Sequence, residues 1–368
     1  MKHYGKITVL AVSLLFLGAV FFGFSHSEAH EKNASTEVNA QMTPTPPAAS
    51  PTPEIIEEDN EVLKIDTELV NLLFTAQDKD RKLLTTLKKE DIRILEDGEQ
   101  QQIFTFQRQV DLPLSLAILI DVSASQERIL PEEKRAAKSF LQDVVRPEKD
   151  EVSVVSFTGE STLEQGMTSN MGRLGRAIDR VQFVPPSGYL GGGVLAGGTA
   201  PASGSAQMLA GSTAIWDSIW ITADEVLGSS PEKTRRAIIL LTDGVNTSGN
   251  KKLDDAVEAA LKAEAVIYAI GIGDNFYDGV DKGALRKISE RTGGTAFFPE
   301  SEMALRRAFD EIQVQMRSQY LIAYEPTNLK RDGSYRKVEI QVANPDLSRQ
   351  KVKVTHRQGY FAKTENKK

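Results

Sequence analysis

The stretch Leu116-Ala-Ile-Leu-Ile-Asp121-Val-Ser-Ala-Ser125 decides the fold. Five apolar residues in a row, without polar alternation, suit a strand covered on both faces, as in a parallel sheet flanked by helices. The run ends in an acid, and hydroxyls follow at alternate positions. Val152 to Phe157, Ala237 to Leu241 and Ala265 to Ile270 are further short, largely apolar runs. Helical periods lie between them. Ala137, Phe140, Leu141, Val144 and Val145 share one face, after Pro131-Glu132-Glu133, whose proline and acids suit a first helical turn. Ile215, Ile219, Ala223, Val226 and Leu227 make a second stripe, and Leu305, Phe309, Ile312 and Met316 a third. This alternation predicts a doubly wound, Rossmann-like α/β domain with a mostly parallel sheet over residues 113–316.

Working outward, both flanks read as short strands. Leu63, Ile65, Thr67, Leu69 and Asn71 alternate with the other face. Ile92 to Leu95 leads into the hairpin-type turn Glu96-Asp97-Gly98 and then Ile103 to Phe106. Tyr320 to Tyr324, Arg336 to Val342 and Lys351 to Thr355 are strand-like at the other end. Neither piece is large enough to stand alone. The expectation is that segments 61–112 and 317–363 pair into a small β-sandwich, with the α/β domain inserted between them and 364–368 as a tail.

Ahead of the first strand, residues 30–60 are rich in Ala, Thr, Pro and Glu and read as a solvated linker. Residues 1–29 carry Lys2 and Lys6, then an uncharged run from Ile7 to Phe24, then Ser27-Glu28-Ala29. That is the pattern of a signal peptide or an N-terminal membrane anchor. Either one sends the rest of the chain across a membrane, to a periplasmic or extracellular location or one tethered to the membrane surface.

Composition excludes several function classes. With 44 Lys+Arg against 51 Asp+Glu, the net charge of -7 argues against a general nucleic-acid binder. The absence of cysteine removes disulfides, thiolate nucleophiles and Cys-ligated zinc. Histidines occur only at positions 3, 26, 30 and 356, so the α/β domain cannot hold a histidine triad.

In open α/β sheets, ligands bind beyond the carboxyl ends of the strands. Asp121, Asp243 and Asp274 fall at such ends. Asp121-Val-Ser123-Ala-Ser125 can aim alternate side chains at one point, and Thr213 opens a helix after a glycine-rich insert spanning Gly188 to Gly211. Oxygen-only ligands of this kind suit a hard cation, Mg2+ or Mn2+. Two carboxylates balance a divalent charge, and hydroxyls add coordination without charge. The cluster Asp274, Asn275, Asp278 and Asp281 does not follow an EF-hand pattern and reads as a solvated acidic loop and helix start. Gly271-Ile-Gly273 lacks the third glycine of a dinucleotide fingerprint.

The set resembles the metal-ion-dependent adhesion site (MIDAS) of von Willebrand factor A-type domains: Asp-x-Ser-x-Ser, then Thr, then Asp. Asp121, Ser123, Ser125, Thr213 and Asp243 match all five positions in order. Ala124 departs from the glycine most frequent there. The flanks, with Asp111-Leu-Pro-Leu114, Tyr324-Glu-Pro326 and Gly359-Tyr360, resemble bacterial exported von Willebrand A-related proteins first described in acidobacteria. The resemblance implies a metal held by those five residues and a protein partner whose carboxylate completes the coordination, hence a non-enzymatic adhesion or interaction module. It implies no nucleic acid, and contact with a membrane only through the N-terminal segment. The competing reading is a structural or assembly scaffold of the cell envelope with a vestigial metal site. A phosphatase of the haloacid-dehalogenase type would need a second Asp where this chain has Ser123.

Overall fold

The structure, a computed structural model, describes residues 69–108, 111–183, 185, 212–231, 233–273 and 279–364. The N-terminal segment, the linker, the glycine-rich insert, and Asp274, Asn275 and Asp278 lie outside the described residues. Among the described residues no helix is long and apolar enough to cross a membrane. Residues 64–368 form one unit by their internal contacts.

In chain order the strands are β1 (Val70–Gln77), β2 (Ile92–Glu96), β3 (Glu99–Gln101), β4 (Ile103–Arg108), β5 (Leu114–Asp121), β6 (Glu151–Phe157), β7 (Ser161–Thr168), β8 (Arg235–Thr242), β9 (Ala265–Gly271), β10 (Ala296–Phe297), β11 (Tyr320–Tyr324), β12 (Tyr335–Val342), β13 (Lys353–His356) and β14 (Gly359–Phe361). The helices are α1 (Leu130–Val144), α2 (Met171–Arg180), α3 (Ile215–Ile221), α4 (Leu253–Lys262), α5 (Lys282–Thr292), α6 (Glu302–Arg317) and α7 (Pro345–Arg349). α3 widens at its end into a π-helical turn, Thr222–Leu227.

The central sheet runs β10-β9-β8-β5-β6-β7. β5 lies in its interior, parallel to β6 with Asp121 opposite Phe157, and parallel to β8 with Ile120 opposite Leu241. All eight of its residues are buried. Its two faces feed two separate cores. Leu116, Ile118 and Ile120 pack with α1, α2 and α6, while Ala117 and Leu119 pack with α3, α4 and α5. The continuous apolar run therefore reflects burial on both sides. Helix α3 buries Ile215, Trp216 and Ile219, and α6 buries Leu305, Phe309, Ile312 and Met316, so the helical stripes read from the sequence face the sheet. β7 is the exception to parallel pairing. It runs antiparallel to β6 as a polar, half-exposed edge strand.

The two ends of the chain form two antiparallel four-stranded sheets, β13-β1-β11-β4 and β14-β12-β2-β3. Leu72, Phe74, Ile94, Tyr320, Ile322 and Val338 form one core shared by both sheets. Phe74 stacks on Tyr320 with centroids 4.9 Å apart, and the Tyr320 hydroxyl donates to Leu84 O (2.9 Å) and accepts from the Leu87 N–H (3.0 Å). The fold class is thus the expected one: an α/β domain set between terminal β segments that close on each other.

Two details differ from the sequence reading. The Asp97-Gly98 turn, with φ of 49° and 90°, suits a two-residue hairpin of the I′ kind. It returns the chain into the short β3 rather than into Ile103–Phe106. Those residues, as β4, cross to the other sheet and pair with β11. In β1 the buried apolar positions are Val70, Leu72, Phe74 and Ala76, with Thr75 buried beside them, while Leu69 and Asn71 are exposed.

Candidate metal centre

The parallel register brings the carboxyl ends of β5 and β8 side by side, and the site grows from that adjacency. The Thr242 hydroxyl, at the end of β8, donates to Asp121 Oδ2 at 2.6 Å. Asp121 Oδ1 accepts the Ser123 N–H at 2.9 Å, which turns the chain directly after the strand. A 3-10 turn, Ala124–Gln126, follows and leads into α1. Ala124 is not among the residues with positive φ, so alanine replaces the more frequent glycine without backbone strain.

That turn gathers the hydroxyls. Ser123 Oγ and Ser125 Oγ lie 3.2 Å apart and share a hydrogen bond. Gln126 Nε2 donates to Ser125 Oγ at 3.3 Å and to Ile272 O, just beyond β9, at 3.2 Å. The polar side chains of Ser125 and Gln126 face the Asp243 carboxylate and favour its ionised form. Asp243 is fixed further by the Val245 N–H on its Oδ1 (2.9 Å) and by the Asp281 N–H on its carbonyl (2.8 Å). Gly244, with φ of 83°, leaves no room for a side chain, because a Cβ there would stand 2.8 Å from Leu285 Cγ.

Thr213 sits on its own loop. Its N–H donates to Thr247 Oγ1 (2.7 Å), its carbonyl accepts from the N–H groups of Thr247 (2.9 Å) and Ser248 (3.1 Å), and the following Ala214 N–H donates to Thr158 O (2.7 Å). The backbone thus anchors this residue between the segments that follow β6 and β8. Asn246 Oδ1 caps the start of α3 by accepting from Ile215 and Trp216. Asp121, Ser123 and Ser125 therefore form one hydrogen-bonded cluster, and the charge of Asp243 acts on it from the end of β8. Thr213 stands on the neighbouring loop and, among the described residues, makes no hydrogen bond to the other four.

The electrostatics are strained by design of the donor set. Asp121 is fully buried and Asp243 nearly so. Burial, and then the charge of Asp243, push Asp121 up to about 7. Burial also raises Asp243 above the usual carboxylate range, against the pull of its donors. Among the described residues no Lys or Arg forms an ion pair with either acid. Two buried carboxylates with hydroxyl neighbours and no positive partner fit a hard divalent cation. Among the described residues no three acidic or histidine side chains group as a metal cluster, so a cation would rely on the hydroxyls as well.

Sequence reading missed Glu133. It was taken as a first-turn acid of α1, yet it is fully buried. Burial, then the charges of Asp121 and Asp243, hold it well above the usual carboxylate range. The signal was present: Glu133 lies four residues before Ala137 and three after Leu130, on the apolar stripe of the helix. Asp281, read as the edge of a solvated acidic loop, caps α5 by accepting from the Ala284 N–H (2.9 Å).

Several solved structures are similar to parts of this chain. Proximal thread matrix protein 1 from the mussel byssus is 23% identical with a TM-score of 0.44, over 60% of this chain and 51% of that one. A structure of the same protein with a zinc-occupied MIDAS motif is 24% identical with a TM-score of 0.43, over 59% and 49%. A von Willebrand factor type A protein from Catenulispora acidiphila is 14% identical with a TM-score of 0.44, over 82% and 76%. The chain spans about half the length of the mussel protein that it matches. No curated protein matches it. The family model of the von Willebrand factor type A domain matches residues 115–311, from the second residue of β5 to the middle of α6 and so across the whole site and more than half of the chain, and the chain belongs to that family.

Proposed function

We propose that the protein is an exported, divalent-metal-dependent interaction module. Asp121, Ser123, Ser125, Thr213 and Asp243 would hold Mg2+ or Mn2+, and the partner is a protein that offers a carboxylate. Von Willebrand A-type domains are typically metal-dependent protein-interaction modules, and they are generally not enzymes. The observation that carries the reading is the pair of buried carboxylates, Asp121 and Asp243, set beside the paired Ser123 and Ser125 hydroxyls and, among the described residues, without a cationic side chain in ion-pair contact. A bound divalent ion would supply a Lewis-acidic position for an oxygen of the partner. Residues 1–29 would direct export, 30–60 would act as a tether, and the segments 61–112 and 317–363 would carry the 113–316 domain.

The test is a calorimetric titration of the full chain with Mg2+ and Mn2+, beside Asp121→Ala and Asp243→Ala. Saturable binding in the parent and its loss in both variants is expected. Metal at one hundred times its dissociation constant should stabilise the fold by about 2.7 kcal/mol. Chelator should then abolish capture of an acidic-loop partner. A parent that binds neither ion, with and without an added carboxylate, would leave the envelope-scaffold reading in its place.

A further inference from the structure

Glu133 lies in the first turn of α1 with a relative exposure of 0%. Neither of its carboxylate oxygens has a hydrogen-bond partner. Buried carboxylates normally collect donors, because an ion stripped of water and left unpaired is costly. Burial raises it first, and the charges that raise it further, Asp121 and Asp243, have its own sign. Among the described residues no Lys or Arg pairs with it. Its place at the start of α1 gives it the positive end of a helix dipole, which offsets only part of a full charge. Protonation would remove the charge, yet among the described residues the acid would still have no donor for its other oxygen. Gln126, whose Nε2 ties Ser125 to the end of β9, likewise leaves a buried Oε1 without a donor. Three acceptor oxygens on two side chains thus lack a donor among the described residues. A hydrated cation supplies both what is missing: positive charge, and water hydrogens pointing outward from it.

We propose that Glu133 is an outer carboxylate of the metal centre, not one of its direct ligands, which accepts hydrogen bonds from the hydration water of the bound divalent ion and helps hold that ion without a partner. The inference rests on the metal-centre reading of Asp121 and Asp243, and it makes the site more than a five-residue set.

The experiment uses the full chain and needs no partner. Mn2+ and Mg2+ are titrated by calorimetry into the parent, Glu133→Gln, Glu133→Leu and Asp121→Ala. Thermal midpoints are recorded in chelator and in saturating metal. Glu133→Gln keeps the shape of the side chain. Glu133→Leu continues the apolar stripe of α1 and keeps the fold testable should a buried amide be tolerated poorly. The expected result is a dissociation constant raised at least about tenfold in both Glu133 variants. In chelator, at least one of them should melt at or above the parent, because a buried unpaired acid has gone. The metal-induced gain in midpoint should shrink in both. A side chain that merely fills space would shift both midpoints equally and leave the affinity alone. Unchanged affinity in both variants, beside a parent that binds and an Asp121→Ala that does not, overturns the role of Glu133 while the metal centre stands. A parent that binds neither ion overturns the metal centre and this inference together.

Discussion

Replacing Asp121 by Asn should remove a pH-dependent weakness of the metal-free protein. Asp121 is held at about 7 by burial and by the charge of Asp243. Against the ordinary value of 3.8, that is a shift of roughly 3 units, worth about 4 kcal/mol at about 1.4 kcal/mol per unit. For a carboxyl raised in the fold, stabilisation is complete below the ordinary value and is lost as pH rises through the folded value. The parent in EDTA should therefore weaken between about pH 4 and pH 7. The Asn variant should weaken less, because its carboxamide carries no charge while the raised Asp243 and Glu133 remain. Asparagine can keep both contacts of Asp121: its oxygen accepts the Ser123 N–H, and its amide donates to the Thr242 hydroxyl, which reverses its own role. Other groups titrate nearby. Asp91, Asp111, Asp150, Asp179, Asp254 and Asp332 are lowered and stabilise the fold above their ordinary range. Buried His356 is lowered as well, so its contribution is lost as pH falls below its ordinary value. These groups are common to both proteins and cancel in the difference. Urea unfolding from pH 4.5 to 8 should show the variant gaining on the parent by about 2–4 kcal/mol, since Asp243 and Glu133 share in the same repulsion. Parallel pH profiles for the two proteins would refute the reasoning.

Three further outcomes follow from other parts of the molecule. Glu96 accepts the hydroxyls of Tyr324 (2.8 Å) and Tyr360 (2.9 Å) and faces Arg336 at 3.4 Å inside the sandwich; Glu96→Ala should cost about 3–5 kcal/mol in urea unfolding, because the buried guanidinium loses its carboxylate. A Cβ on Gly294 would stand 2.0 Å from Ile267 O, so Gly294→Ala should lower stability by about 1–3 kcal/mol as β10 is pushed off β9, and an unchanged midpoint would show that this edge gives freely. Ser125→Ala removes a hydroxyl linked to both Ser123 and Asp243; its Mg2+ affinity should fall at least about tenfold while its stability in chelator changes by less than about 1 kcal/mol, and unaltered affinity would take Ser125 out of the ligand set.

What could be read from the chain depended on whether the determining contacts were local. β5, β6, β8 and β9 were legible because burial on two faces writes an apolar run into a few neighbouring residues. β7 was not, since an edge strand half open to solvent, Ser161–Thr168, carries no apolar period. β4 was misassigned for a different reason. The Asp97-Gly98 turn is a local signal and did form, but the partner of Ile103–Arg108 is β11, more than two hundred residues away, and nothing nearby marks it. The α3 stripe was read as one regular helix, whereas the widened turn at Thr222–Leu227 shifts its phase and leaves Val226 only half-buried. In the site, Asp121, Ser123 and Ser125 were visible because a two-residue alternation at a strand end is a local pattern. Glu133 obeyed an equally local rule, the helical period of α1. It was set aside because an acid in a first turn already has an ordinary explanation in the helix dipole.

Counting charge changes how the site must be thought of. Two carboxylates around a divalent ion give a neutral centre that attracts an acidic partner with little electrostatic penalty. A third carboxylate at Glu133, if ionised, leaves the loaded centre with one excess negative charge, and an incoming partner carboxylate makes that two. The same group that retains the ion therefore opposes the ligand. The raised position of Glu133 resolves this tension without any movement of the backbone. A proton taken up by the buried acid as a partner carboxylate arrives would restore the lower charge, whereas Asp121 and Asp243, held by Thr242, Ser123, Ser125 and Val245, have donors that favour their ionised form. The asymmetry lies in hydrogen bonding. Two of the three acids have donors that pull against their raised positions, and the third, without a protein donor among the described residues, is the one whose charge the surroundings do least to secure.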